Sequence, residues 1–255
     1  MAERWLSYLL VGTPRTGSSV LAEGLTRTGR LGRPEEYFWR LQEPDWAARF
    51  GLPPPDDSNY ERYLMAAIEA GTTPNGVFAA KLFWAHLHDL LRHASHFREL
   101  GDLPEDERLL GLFGPDVRAV FVRRNCLHSA ISLWRAETTG IWFQRSGDAP
   151  APAPVHLDVG RVTTLHAEIH AAEIGWPHFL TSAGIPYLTV QYSEIVKDVG
   201  SVVGRIAQFL GVDVPKRTTT ISPTLRRQAD SVTQQLIDQW THITGGCSKC
   251  AELRR

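Results

Sequence analysis

Trp5-Leu6-Ser7-Tyr8-Leu9-Leu10-Val11-Gly12-Thr13-Pro14-Arg15-Thr16-Gly17-Ser18-Ser19 is the stretch from which the rest of the chain can be read. Trp5 to Val11 is an apolar run of strand length. From about Ser19 to Thr28, Val20, Leu21 and Leu25 fall at helical spacing. Strand, glycine-bounded loop and helix in that order make one unit of an α/β protein. Further strands are expected at Gly76–Trp84, after the turn Thr73-Pro74-Asn75-Gly76, at Val117–Val122 after Gly114-Pro115-Asp116, and at Ile185–Val190 after Ser182-Ala183-Gly184. Helical segments at Ser129–Thr138, Val162–Ser182 and Glu194–Leu210 separate them. Apolar strands joined by helices predict a three-layer fold, a central, mostly parallel sheet with helices on both faces. In such sheets ligands sit at the carboxyl ends of the strands, where the loops just named lie.

The composition narrows the function. The chain has 255 residues and a formal charge of −1, with 27 Lys+Arg against 28 Asp+Glu. One domain spanning 1–255 is expected, with a flexible tail after about residue 241. The charge balance argues against nucleic-acid or membrane-surface binding, so an anionic ligand must be held locally. Lysine occurs only at Lys81, Lys197, Lys216 and Lys249. The remaining basic residues are arginines, whose planar forked donors suit phosphate and carboxylate. Cys126, Cys247 and Cys250 are too few for a disulfide framework, and no secretory leader or membrane-spanning run is visible. A cytoplasmic location is expected on that basis. Leu52–Asp57 and Ala149–Pro154 read as surface loops.

Gly12-x-x-x-x-Gly17 has the glycine spacing of a phosphate-binding loop, in which successive amides and a helix N-terminus converge on an anion. Ser18 stands where a nucleotide-hydrolysing loop carries Lys, and the third strand ends in Arg123-Arg124 rather than a metal-holding Asp. A P-loop kinase acting on a small molecule is therefore a disfavoured alternative. A non-catalytic nucleotide-binding module is another. Arg15 inside the loop and Arg124 at a neighbouring strand end fit a nucleotide with two separated phosphates.

These residues resemble the sulfotransferases that use 3′-phosphoadenosine-5′-phosphosulfate (PAPS). Thr13-Pro14-Arg15-Thr16-Gly17-Ser18-Ser19 is similar to that family's 5′-phosphosulfate loop, and Arg124 followed by Ser132 to its 3′-phosphate motif. Within the superfamily the likeness runs furthest with the bacterial trehalose 2-sulfotransferase group, through Gly32–Phe38, Pro74-Asn75-Gly76 with Lys81–Trp84, Ile131–Thr138 with Gly140-Ile141-Trp142, and Arg227-Gln228-Ala229-Asp230. The stretch from His86 to Glu107 and the tail after Trp240 depart from it. The resemblance implies a P-loop-like sulfotransferase fold and a homodimer. It implies transfer of a sulfuryl group from PAPS, leaving PAP, to a hydroxyl of a carbohydrate such as trehalose or of a glycolipid.

On that likeness Pro14, Arg15, Thr16, Gly17, Ser18 and Ser19 hold the 5′ end of the donor, with Arg15 also catalytic. Arg124 and Ser132 hold the 3′-phosphate, with Arg227 and Gln228 closing over it and Tyr192 against adenine. Glu35 and Glu36 are adjacent, so in an extended segment they point to opposite sides and one alone faces the donor. The resemblance selects Glu36 as general base. Arg33, Tyr37, Lys81 and Trp84 are expected on the acceptor side. No metal is expected. His86, His88, His93 and His96, and the pair His166 and His170, lack carboxylates or thiolates at ligand spacing and read as packing or solvated side chains. Cys247-x-x-Cys250 reads as free thiols.

Overall fold

The computed structural model describes residues 6–143, 148, 156–215 and 231–245. Trp5, Ala149–Pro154, Arg227, Gln228, Cys247 and Cys250 lie outside the described residues. The chain forms β1 (Leu6–Gly12), α1 (Ser18–Arg27), α2 (Glu43–Arg49), α3 (Tyr60–Gly71), β2 (Val77–Phe83), α4 (Trp84–Ala94), α5 (Glu105–Phe113), β3 (Arg118–Arg123), α6 (Cys126–Thr139), α7 (Val159–Ser182), β4 (Tyr187–Gln191), α8 (Tyr192–Leu210) and α9 (Ser231–Thr244). The four strands pair in the order β2-β1-β3-β4, and every pairing is parallel. The mostly parallel sheet expected from the sequence is found, its four strands all parallel and one isolated antiparallel bridge joining Thr72 to Phe78. The last helix runs to Thr244, past the point near 241 where a tail was expected.

Alternation along the strands builds the layers, because successive side chains leave opposite faces. Leu9 and Val11 of β1, Phe78, Ala80 and Leu82 of β2 and Phe121 of β3 enter one core with α2–α5 and the Trp176–Leu180 turn of α7. Tyr8 and Leu10, Val77 and Ala79, and Val120 and Val122 enter the other, against α1 and α8. A third apolar cluster joins α6, α7 and α9 through Ile131, Trp134, Ile169 and Trp240. By the same parity Lys81, two residues past Ala79, lies on the α1 side of the sheet.

At its carboxyl end β1 is crowded. Gly12 pairs with Phe83 on one side and Val122 on the other. Its carbonyl accepts the indole N–H of Trp176 at 2.9 Å. A Cβ at this position would stand 2.5 Å from the Val122 carbonyl oxygen, so only glycine lets β1 pass β3 here. Gly12→Ala is expected to lower stability by about 1–3 kcal/mol, the usual cost of forcing an atom into a packed site. Urea unfolding checks this, and an unchanged midpoint would contradict the close approach.

Candidate active site

The loop after β1 is shaped by two left-handed residues. Gly17 has φ 83° and precedes α1, and Arg15 has φ 67°, the sole non-glycine residue with positive φ among the described residues. A side chain larger than glycine's is uncommon in that region and carries strain, which tends to persist where neighbours enforce it. The neighbour here is Arg124, whose guanidinium donates to the Arg15 carbonyl at 2.8 Å. The Arg15 side chain turns the other way, donating through Nε to the Ser132 hydroxyl at 3.1 Å and through Nη1 to the Trp142 carbonyl at 2.7 Å. The Thr16 hydroxyl is buried and donates to the Thr13 carbonyl, bracing the turn. Helix α1 starts without a side-chain cap, so its first-turn amides are left for an incoming anion.

Arg124 also lies over the Tyr192 ring, 4.2 Å from its centroid. Tyr192 opens α8 directly after β4, so it arrives from the next strand end. A Cβ at Gly17 would meet the Tyr192 ring at 3.0 Å, which fixes how closely loop and ring approach. Burial and the adjacent Arg124 push the Arg15 guanidinium down to about 10. A place where two cations crowd together in low dielectric is stabilised by added negative charge.

Lys81 forms the other side of the site. Its ammonium is 2.6 Å from Glu36 Oε1 and 3.1 Å from the Ser19 hydroxyl, with side-chain exposure of 5% for Lys81 and 16% for Glu36. Glu36 gets there because the segment before it adds to the sheet edge. Glu35 bridges Ala80 in parallel, and the Lys81 amide donates to the Glu35 carbonyl at 2.8 Å. Glu35 is exposed, whereas Glu36 turns to Lys81.

Pro14, Arg15, Gly17, Ser18, Ser19, Glu36, Arg124, Ser132 and Tyr192 line one cleft of about 950 Å³, brought together from the ends of β1, β3 and β4 and from the segment at Glu36. Lys81 borders it through its contacts with Glu36 and Ser19. The structure places the three other residues expected on the acceptor side outside this lining. Tyr37 is 2% exposed, donates to the Arg33 carbonyl and packs against Trp46 inside the α2–α5 core. Trp84 turns away as α4 begins, edge-on to Trp176 and Phe179. Arg33 donates to the Ala70 and Thr72 carbonyls and lines a separate groove of about 630 Å³ on α3.

Trp39, Gln42, Phe83, His86, Leu133 and Trp142 also line the cleft, and sequence reasoning gave most of them no role. Trp39 follows Glu36 by three residues and His86 follows Lys81 by five, three of them past the end of β2, so no common spacing marked the two in the sequence. Burial holds His86 down at about 4, with nearby Glu36 and Asp89 opposing that shift and Lys81 adding to it. His93 instead stacks on Tyr60 at 4.0 Å and bonds Asp57. Among the described residues no group of three or more His, Cys, Asp or Glu side chains is placed to hold a metal ion, and no helix is long and apolar enough to cross a membrane.

A profile described as Stf0 sulphotransferase matches residues 7–242. The chain is 27% identical over 268 residues to the trehalose 2-sulfotransferase of Mycolicibacterium smegmatis, covering 94% of each chain. It is 25% identical over 253 residues to the trehalose 2-sulfotransferase of Mycobacterium tuberculosis, covering 91% of this chain and 93% of that one. Its fold is similar to the crystal structure of a sulfotransferase from Alicyclobacillus acidocaldarius, with a TM-score of 0.50 at 12% identity over 96% and 98% of the two chains.

A histidine neutral in the folded state and protonated at the same pH when unfolded makes stability rise with pH. For His86 that contribution is complete above about 6.5, the ordinary imidazole value, and is lost as pH falls toward about 4. His93 and His166 are also held down by burial and contribute with the same sign. The urea midpoint is therefore expected to fall between those pH values, with a shallower fall in His86→Phe. Equal slopes in the two proteins would contradict the burial of this imidazole.

Proposed function

The chain belongs to the Stf0 sulphotransferase family, and from that premise we propose that it transfers a sulfuryl group from PAPS to a hydroxyl of a carbohydrate, with trehalose or a related sugar as acceptor. The observation that carries the donor assignment is the convergence on Arg15, whose side chain meets Ser132 and whose carbonyl meets Arg124. The loop after β1 and the end of β3 thereby face each other across a span that a two-phosphate nucleotide would bridge. The acceptor assignment rests on the names and coverage of the two mycobacterial relatives.

In the proposed reaction the acceptor oxygen forms a bond to sulfur while the bond from sulfur to the 5′-phosphate oxygen breaks. The electron pair leaves with that oxygen, giving PAP. Glu36 takes the hydroxyl proton as the new bond forms. Ser18, Ser19 and the first amides of α1 hold the 5′ end, and Arg15 supplies fixed positive charge where the leaving phosphate gains its negative charge. Arg124 and Ser132 hold the 3′-phosphate. Lys81 couples the two halves, since one ammonium fixes both the base and the Ser19 hydroxyl. Bond making needs base, acceptor and donor aligned, and a buried cation between two of the three limits their relative motion.

Glu36→Gln is expected to keep PAP affinity within about twofold while sulfate transfer falls roughly 10²-fold or more. Calorimetric PAP titration and mass spectrometry of sulfated sugar check the two halves. Turnover equal to wild type would remove Glu36 from the reaction. PAP is also expected to raise the Tm, with Mg-ATP giving little shift. Stabilisation by Mg-ATP alone would favour the kinase alternative, and PAP binding without a sulfated product from any sugar would favour a non-catalytic module.

A further inference from the structure

The wall of the cleft next to Glu36 is aromatic and uncharged. Trp39 and His86 stack with ring centroids 5.6 Å apart and planes 13° from parallel, and Phe83 stands 5.4 Å from the imidazole. Trp39 comes from the turn that follows Glu36, its amide donating to the Glu36 carbonyl at 3.4 Å. His86 comes from the first turn of α4, just past the end of the strand that carries Lys81. Base, cation and aromatic pair are thus carried by two short stretches of chain, Glu36–Trp39 and Lys81–His86.

His86 Nδ1 is enclosed by protein and has no hydrogen-bond partner. The ring is neutral at ordinary pH, so it carries one proton to place. Native structures rarely bury an N–H without an acceptor and tolerate a bare acceptor more readily. The proton therefore belongs on Nε2, and since Nδ1 is shut away, Nε2 is the nitrogen that meets the contents of the cleft. The wall then offers a flat apolar face, one fixed N–H donor, and the half-buried Gln42 amide at its margin. An aromatic face with a few placed polar groups matches a pyranose, which presents C–H faces and hydroxyl edges. It offers no charge to an acceptor carrying a carboxylate, because the adjacent ammonium is already paired with Glu36.

We propose that Trp39 and His86 form the acceptor subsite for a neutral pyranoside, with His86 Nε2–H donating to an acceptor oxygen and so placing the hydroxyl that Glu36 deprotonates. The inference rests on the sulfotransferase reading above and names the substrate class and the residues that select it. His86 is on this view a specificity-determining donor and Glu36 the base, although both line the same cleft.

Calorimetry of trehalose binding to the PAP-loaded protein tests the subsite, with glucuronic acid as the charged comparison. His86→Phe keeps the ring and loses the donor, and is expected to weaken trehalose binding about tenfold, the worth of one hydrogen bond. His86→Gln, which returns an N–H at nearly the same reach, is expected to bind trehalose more tightly than His86→Phe. PAP affinity stays the same in all three proteins, and the loss in His86→Phe turnover appears mainly in the KM for trehalose. Trehalose affinity within twofold of wild type in His86→Phe would overturn the proposal. So would a hundredfold loss of kcat at saturating trehalose, which would make His86 the proton acceptor, or tighter wild-type binding of glucuronic acid than of trehalose. Wild-type protein that binds PAP but no trehalose would overturn the subsite alone. Wild-type protein that fails to bind PAP would overturn the sulfotransferase reading, and the subsite with it.

Discussion

The position of β1 between β2 and β3 governs everything built at the carboxyl edge of the sheet. Parallel pairing sets Gly12 level with Phe83 and with Val122 and sets Leu10 level with Lys81, so the adjacent strands finish together. Whatever follows each strand must then occupy the same small volume. The loop from Thr13 to Gly17 leaves through a gap that tolerates no Cβ at Gly12. Arg124 steps off β3 beside it, and Tyr192 steps off β4 beside Arg124. Local sequence shapes each piece, but the register of the sheet sets their distances.

That convergence concentrates charge where water is scarce, and stability alone does not account for it. A buried ion pair is often replaceable by well-packed apolar residues at no loss, because desolvation offsets most of the Coulomb attraction. Lys81 is buried on the α1 side of the sheet, a place an apolar side chain would ordinarily fill. Its ammonium instead holds Glu36 and Ser19 at hydrogen-bond distance. Arg15 in turn adopts a left-handed backbone and is crowded by a second arginine. Strain and unfavourable charge gathered at one strand-end cleft are characteristic of a site that receives an anion. Family membership and loop geometry are separate observations, and the proposed anionic donor fits both.

Much of this was legible in the sequence, for identifiable reasons. β1, β2 and β3 were marked by apolar runs that burial on both faces leaves nearly uninterrupted, the latter two after glycine- and proline-containing turns, while the partly exposed β4 was marked by its run after Ser182-Ala183-Gly184. Arg15 and Arg124 were marked by chemical type and position next to predicted strand ends, and Ser132 by the family resemblance alone. What escaped was the direction of side chains in the irregular segments. Tyr37 and Trp84 flank Glu36 and Lys81 in sequence, yet Tyr37 is drawn into the α2–α5 core and Trp84 onto α7, where Gly175 leaves room for its indole. Trp39 and His86, each two residues further on, come back to the cleft instead. Sequence adjacency to a functional residue says little about facing it once a strand has given way to a turn or a helix.

A crystal structure of the chain with PAP tests the central claim most directly, namely that one nucleotide spans the loop after β1 and the end of β3. The 5′-phosphate is expected within hydrogen-bond distance of Ser18, Ser19 and the first amides of α1, with the 3′-phosphate on Arg124 and Ser132. Nucleotide density in the separate groove lined by Arg33 and Arg62, with the β1 loop making no contact to it, would contradict the claim.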